Sequence, residues 1–379
     1  MSNQRSVTLN GLVLPNVILI LVFIAMIMVG AYMTNHYYQA HFPQGINQAS
    51  SICDINAFWS CDKATKSELG SFFNVPTSVV AIILGLFGLL ACFMGKRGME
   101  QTLKLILIVN LLACIALAIY SLTMLGGLCL MCTVFYVLSG IAVFMLFKFS
   151  DIKPGFDANS FGIFVVIALI PSLLFGFNIS QKKSETNKRV ASMVSEFQKL
   201  KSYGEAPYVS PYRLASATED FNDAPIRVTI FSDFQCPFCK VVGEQFHKII
   251  KKYKGKINVQ YMFYPLDNAC NSEVKRAFHQ YACQAAYLAA CDVDQFEKIH
   301  DHIFANQSKL NYDNLKKWQD QFGLSGCFEN KDVQDVVQQT LNAGKFYKLK
   351  STPTMIINGK KIEGGIDTPV IEGIFNSLL

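Results

Sequence analysis

Five long apolar runs, at about 12–34, 76–94, 103–123, 127–147 and 159–179, decide what the first half of this chain can become. Each is near the ~20 apolar residues that a bilayer-spanning helix needs, and the charged residues sit almost wholly between them. The 379 residues would suit two or three soluble domains, but the first half is too apolar for that. The runs are therefore read as five transmembrane helices, a four-helix core and a fifth linking helix. The first is read as a retained span, because it is long and the following GAYMTNHYYQ lacks a small-x-small cleavage site.

Five spans place the termini on opposite sides, and the positive-inside rule selects the orientation. Arg5, the group Lys96, Arg97 and Lys104, and the pair Lys148 and Lys153 are assigned to the cytoplasm. The 53–75 loop and the turn Leu125-Gly126-Gly127-Leu128 then face the other side. Lys182, Lys183, Lys188 and Arg189 run against this assignment, but long translocated segments largely escape the rule. The net charge of +6 is mild, and no basic stripe interleaved with aromatics points to nucleic acid.

Of twelve cysteines, six form three pairs: Cys53 with Cys61, Cys129 with Cys132, and Cys236 with Cys239. The orientation above puts all three in one non-cytoplasmic compartment, where disulfides form and persist. A dithiol passes two electrons to a disulfide by thiolate attack, so pairs that can meet form a relay. Cys129 and Cys132 open an apolar helix, where unsatisfied N–H groups and the helix dipole favour a thiolate. Cys92 and Cys114, inside apolar runs, are read as packing residues.

The long loop reads Cys53-Asp54-Ile55-Asn56-Ala57-Phe58-Trp59-Ser60-Cys61, with Ser67 six residues on and Val75-Pro76 ahead of the second helix. Together with the CxxC at the head of the fourth helix, this order resembles the vitamin K epoxide reductase family over roughly residues 12–147. The resemblance implies that Cys53 and Cys61 shuttle electrons to Cys129 and Cys132, which reduce a quinone among the four helices. It also implies that Tyr136, one turn after Cys132, and Ser67 lie near the quinone. Where the vertebrate enzymes carry an asparagine early in the second helix, this chain has Thr77-Ser78, which favours quinone reduction over epoxide reduction.

In the second half, residues 181–224 are polar and mixed in charge, and are read as a linker with an amphipathic helix over 191–200. Ile226 to Phe231 reads as a buried strand, and Cys236-Pro237-Phe238-Cys239 as a turn opening a helix, the thioredoxin-like redox context. A second strand over 257–264, helical periodicity over about 272–345, Thr352-Pro353, an Asn358-Gly359 hairpin turn and a final helix after Asp367 complete the pattern. This order resembles the DsbA-like branch of thioredoxin folds over 225–379. The resemblance implies a cis bond before Pro353 and a Thr352 backbone free to pair with substrate. It also makes the absence of a histidine between Cys236 and Cys239 a mark of a weaker oxidant.

Cys270, Cys283, Cys291 and Cys327 form an even set that suggests two structural bridges with three open connectivities. Cys270–Cys283 with Cys291–Cys327 is the pairing taken forward. None of these four forms a zinc knuckle; His300 and His302 point apart on a helix and are read as solvated, so no metal site is expected.

The sequence thus describes an all-α transmembrane bundle (1–180), a linker (181–224) and a soluble α/β thioredoxin-like domain with an inserted helical subdomain (225–379). The function that the two resemblances imply is a thiol oxidase of a bacterial inner membrane, with a cytoplasmic N-terminus and a periplasmic thioredoxin-like domain. Its partners would be the lipid bilayer, reduced unfolded exported proteins, and ubiquinone or menaquinone as electron acceptor. Two alternatives stand beside it: a reductase or isomerase with reversed electron flow, and a membrane-anchored binding or chaperone module with structural cysteines.

Overall fold

The computed structural model describes residues 13–42, 53, 58–276 and 278–379; Arg5 and Asp54 lie outside them. The chain divides into two compact units, one ending at Glu185 and one running from Thr186 to Leu379.

In the first unit, α1 (Val13–His41), α3 (Val79–Met94), α4 (Arg97–Met124) and α5 (Leu130–Phe149) pack together, joined by a short α2 (Cys61–Lys66) and a hairpin of β1 (Ser71–Phe72) and β2 (Val75–Pro76). A long α6 (Ala158–Lys199) follows. Four of these helices, α1, α4, α5 and α6, are long and apolar enough to cross a membrane, whereas α3 has 16 residues. The second run is shorter than expected because its start belongs to the hairpin. Pro76 pairs with Ser71, and Phe73 and Asn74 turn the chain with positive φ of 50° and 63°. Such left-handed pairs match the twist of a tight hairpin.

Leu19, Phe23 and Met26 line one stripe of α1 and bury against Leu84 and Phe87 of α3, Leu103 and Leu107 of α4, and Leu146 of α5. The opposite choice of solvent shows on α4, where Leu112, Ile115 and Ile119 are all more than half exposed, and on α6 at Leu173 and Phe177. Apolar residues outside and packed residues inside are what a lipid solvent selects. Lys104, expected in a connecting loop, lies within α4 and is 1 % exposed. Its ammonium donates to the carbonyls of Ser150 (3.0 Å) and Ile152 (2.6 Å), which offsets the cost of burying a charge.

The second apparent discrepancy is the linker. The separate amphipathic helix expected over 191–200 is the end of α6, which runs unbroken to Lys199. After Pro171 this segment holds no proline, and Gln181 to Lys199 is rich in Lys, with Arg, Glu, Gln and Met beside it, all good helix formers. Val190, Val194 and Phe197, spaced on one face, pack into the core of the second unit.

That unit is built on a mixed sheet of order β3-β5-β4-β6-β7. Its strands are β3 (Arg213–Ala215), β4 (Ile226–Ser232), β5 (Ile257–Phe263), β6 (Thr354–Ile357) and β7 (Lys360–Glu363). β4 and β5 pair in parallel, from Ile226 opposite Ile257 to Ser232 opposite Phe263, and α7 (Pro237–Lys252) connects them. β6 runs antiparallel to β4 and turns at Asn358-Gly359 (φ 44° and 80°) into β7. Both faces of the sheet are covered: α7 and α12 (Thr368–Asn376) lie on the Val228 and Ile230 side, and the inserted helices on the Phe231 and Phe263 side. The insertion is α8 (Ala282–Ala290), α9 (Phe296–Ala305), α10 (Tyr312–Gln321) and α11 (Lys331–Phe346). The helical stretch expected from about 272 begins only at Ala282. Before it, the side chains of Asp267 and Asn271 accept backbone N–H groups two residues on, which makes turns instead.

Candidate active site

The soluble dithiol sits where β4 hands over to α7. Cys236 is the N-cap of α7 and Pro237 its first residue, a position that needs no N–H donor. Both Cys236 and Cys239 are thiols and nearly inaccessible, at 5 % and 2 % exposure. The Cys239 Sγ accepts the Asp233 N–H at 3.4 Å. A hydrogen bond from the Cys239 thiol, helped by the Cys239 N–H, lowers the Cys236 pKa to about 6 against the opposing effect of burial. Burial and the neighbouring Cys236 push the Cys239 thiol well up. One sulfur is therefore a thiolate near neutrality, and the other stays a protonated thiol.

The bond between Thr352 and Pro353 is cis, and these residues lie against the dithiol. The Thr352 carbonyl, expected to be free for substrate, accepts the Cys236 thiol at 3.5 Å. A substrate strand pairing there would have to take over that acceptor. Gln307, which no sequence pattern marked, donates from Nε2 to the carbonyls of Phe234 (2.8 Å) and Cys236 (2.9 Å).

Behind the dithiol, Asp233 is buried. Its Oδ1 accepts the Gln235 N–H (2.7 Å), and its Oδ2 accepts the Leu266 N–H (2.6 Å) and lies 2.9 Å from His279 Nδ1. That hydrogen bond and the Asp233 charge raise the His279 pKa. His300, read as solvated, is instead 2 % exposed and ringed by Phe234, Tyr261, Phe296 and Phe304, because the apolar stripe of α9 includes its position. His302 is half-buried between Trp318 and Phe322. His300 Nδ1 (2.9 Å) and His247 Nε2 (3.0 Å) close on a single oxygen of Asp301, so the three satisfy one another. Disulfides join Cys270 to Cys283 and Cys291 to Cys327.

In the membrane unit, disulfides join Cys53 to Cys61 and Cys129 to Cys132. The two pairs adjoin: Cys61 Sγ is 3.3 Å from Cys129 Sγ. Backbone pairing brings them there. The Ser60 N–H donates to the Leu128 carbonyl (3.0 Å) and the Leu128 N–H to the Phe58 carbonyl (2.7 Å), so the loop lies alongside the turn that carries Cys129. Gly127 allows this approach, since a Cβ there would collide with the Phe58 carbonyl. The His36 ring on α1 meets Thr65 Oγ1 at 3.2 Å and so holds α2 from the other side.

Next to the Cys129–Cys132 bond opens a cavity of about 430 Å³ within the helix bundle, of a size suited to a small apolar ligand. Cys132, Tyr136 and Ser67 line it, with Thr77, Asn110 and Cys114. The Ser67 hydroxyl donates to the Ala64 carbonyl (2.7 Å), which leaves its oxygen as an acceptor. Cys114, read from sequence as a packing residue, is on the cavity wall, and so is Asn110. Both sit in an apolar run whose periodicity gives no sign of a cavity.

Comparison with known proteins divides the chain at the same place. Residues 17–147 match the sequence model of the vitamin K epoxide reductase family, and residues 221–374 match a thioredoxin model. Disulfide bond formation protein D of Bacillus subtilis is 26 % identical over 163 residues, 38 % of this chain and 69 % of that protein. A Na(+)/H(+) antiporter, NhaA 3 of Salinispora tropica, is 24 % identical over 149 residues, 38 % of this chain but 21 % of the antiporter. The chain thus spans about a fifth of the length of that relative. Among solved structures, a periplasmic thioredoxin-like protein from Salmonella enterica serovar Typhimurium aligns with a TM-score of 0.38 and 18 % identity, over 46 % of this chain and 93 % of that one.

Proposed function

From a chain that joins a vitamin K epoxide reductase family segment at 17–147 to a DsbA-like thioredoxin-fold segment at 221–374, a thiol–disulfide oxidoreductase by kind, we propose a membrane thiol oxidase that introduces disulfides into exported proteins. A substrate thiolate attacks Cys236 in the Cys236–Cys239 disulfide, and Cys239 leaves and takes up a proton. The second substrate thiol, on losing its proton, attacks the substrate sulfur of the mixed disulfide, so the Cys236 thiolate is released and the substrate is oxidised. Two electrons and two protons have then left the substrate. The same exchange passes the electrons to Cys53 and Cys61. From there a Cys61 thiolate attacks Cys129 and frees the Cys132 thiolate beside the cavity, and Cys53 then attacks Cys61, which releases Cys129 and reforms the Cys53–Cys61 disulfide.

The observation that supports this reading best is the 3.3 Å approach of Cys61 to Cys129, with the cavity adjoining Cys132. The cavity is mostly apolar, with the Tyr136 phenol, Ser67 oxygen and Asn110 amide among its polar groups, a donor and acceptor set that fits a quinone. A bound ubiquinone or menaquinone would accept the two electrons and two protons to become a quinol. Tyr136 would orient it with a hydrogen bond, and the apolar wall would exclude water. The oxidase reading puts all three pairs on the periplasmic face of a bacterial inner membrane, with reduced unfolded exported proteins as substrates.

The test is reduction of a soluble quinone analogue by the purified protein in detergent, with reduced unfolded protein as donor. Turnover should require the donor and fall by at least a hundredfold in Cys132→Ala. A well-folded wild type that reduces no quinone would overturn the reading.

A further inference from the structure

The membrane unit gathers more sulfur at one point than a single exchange step uses. The Sγ atoms of Cys53, Cys61 and Cys129 all lie within 4.8 Å of one another, with Cys61 and Cys129 at 3.3 Å. All three residues are buried, at 0 %, 0 % and 2 % exposure. Contacts made outside the disulfides hold them there. The Ser60 N–H on the Leu128 carbonyl and the Leu128 N–H on the Phe58 carbonyl set the loop against the turn, and His36 of α1 meets Thr65 of α2. Once both pairs are reduced, the same backbone presents three thiols to one point. The Cα atoms of Cys53 and Cys61, 5.6 Å apart, let both side chains turn toward a shared centre.

A central atom about 2.3 Å from each sulfur needs sulfurs roughly 3.3–3.8 Å apart, and the approach of Cys61 to Cys129 is such an edge. Thiolates select a soft centre, and charge decides which one. Zinc keeps one negative charge on three thiolates and two on four, and a buried charge without a partner is costly. Among the described residues, those lining the adjoining cavity carry no charge, and on α2 Asp62 is already paired with Lys66. A trivalent centre on three thiolates is neutral and needs no counter-ion.

We propose that Cys53, Cys61 and Cys129 of the reduced membrane unit form a three-sulfur binding site for trivalent arsenic, taken up as neutral arsenous acid. This rests on the reading above that both pairs open to thiols. Three S–H and three As–OH bonds break, three As–S bonds form, and three waters leave. Arsenic stays trivalent and no electron moves, so the pairs are held reduced without being oxidised or alkylated. Cys129 also lines the cavity, which gives a small neutral molecule a way in. Cys132 is the one thiol of the four left outside the complex, and neither disulfide can reform while arsenic is bound.

The experiment is arsenic K-edge X-ray absorption on the full chain in detergent, reduced with a phosphine and then given half an equivalent of arsenite. The protein carries Cys236→Ser, so that the soluble dithiol offers no pair. The first shell should hold three sulfurs, and should do so again when Cys132→Ala is added. Adding Cys53→Ser or Cys129→Ser should leave two sulfurs and one oxygen. Two sulfurs and one oxygen in the starting protein, which needs no change in the membrane unit, overturn the proposal. So does a three-sulfur shell that survives Cys53→Ser, or a folded protein whose two membrane pairs the phosphine does not open. The readout involves no quinone, no donor protein and no direction of electron flow. The oxidase reading can therefore fail while this site stands, and the site can fail while quinone reduction proceeds.

Discussion

At the scale of single residues, two neighbouring thiols are made unlike by their surroundings. The Cys236 pKa is lowered to about 6 and burial holds Cys239 protonated, which suits them to the proposed roles of attacked and resolving sulfur. The lowered value also links redox state to stability. The Cys236 thiol has an ordinary pKa of 9.0, so the folded dithiol binds fewer protons than the unfolded chain between about 6 and 9. The dithiol form therefore gains stability as pH rises through that window, and loses it as pH falls through 6. We expect amide exchange of β4 and β5 in the reduced protein to become better protected at pH 8.5 than at pH 6, relative to reduced Cys236→Ser. Equal protection at the two values in both proteins would contradict the linkage. The residues that announce this chemistry were legible because they are close in sequence: a CxxC after a strand and a Thr-Pro before a hairpin. His279 and Gln307 were not, because His279 reaches Asp233 across 46 residues of chain and Gln307 reaches the Cys236 carbonyl across 71, and a lone polar side chain carries no spacing signal.

At the scale of elements, the proposed membrane relay depends on one backbone approach more than on any helix. The strand-like stretch of Phe58 to Ser60 lies on Leu128 through two N–H donors, and this sets Cys61 against Cys129. Gly127 is the residue that lets the two backbones meet. In Gly127→Val the branched Cβ has to displace the Phe58 carbonyl, and a shift of about 1 Å there carries Cys61 away from its 3.3 Å approach to Cys129. The expected outcome is a quinone reduction rate lowered by about 10²-fold, in line with the cost of misplacing reacting atoms. Free dithiothreitol should still reduce each disulfide of the variant in stopped-flow thiol trapping; a variant with unchanged turnover would show that the contact is not the route. Sequence reading identified this loop and its cysteines but not how they are held, since a two-residue backbone bridge leaves no pattern. The same limit applied to α6, where a change from apolar to charged residues suggested a linker. Continuity of helix formers and the packing of Val190, Val194 and Phe197 carry the helix on to Lys199. It also applied at α3, where an apolar run was longer than the helix because Val75 and Pro76 belong to a hairpin.

At the scale of the whole molecule, the order of parts is itself an argument about rate. A soluble thiol donor and a membrane acceptor joined in one chain meet at an effective concentration of roughly millimolar, whereas separate molecules at micromolar concentration meet about 10³-fold less often. This makes the relay testable without cutting the chain. Cys236→Ser lacks the donor site and keeps the membrane pairs, and Cys132→Ala lacks the last sulfur and keeps the soluble dithiol. Each alone should be inactive with reduced unfolded protein. If electrons pass mainly within a chain, an equimolar mixture at about 1 µM should recover only a small share of wild-type quinone reduction, rising with total protein concentration as a second-order process. If the soluble units exchange freely between chains, the mixture should recover close to half of wild-type turnover, with little dependence on concentration. The wild-type rate per molecule should not change across the same dilution series. Independence from concentration in the wild type together with dependence in the mixture therefore identifies the tether, rather than either site, as the element that makes donor and acceptor one enzyme.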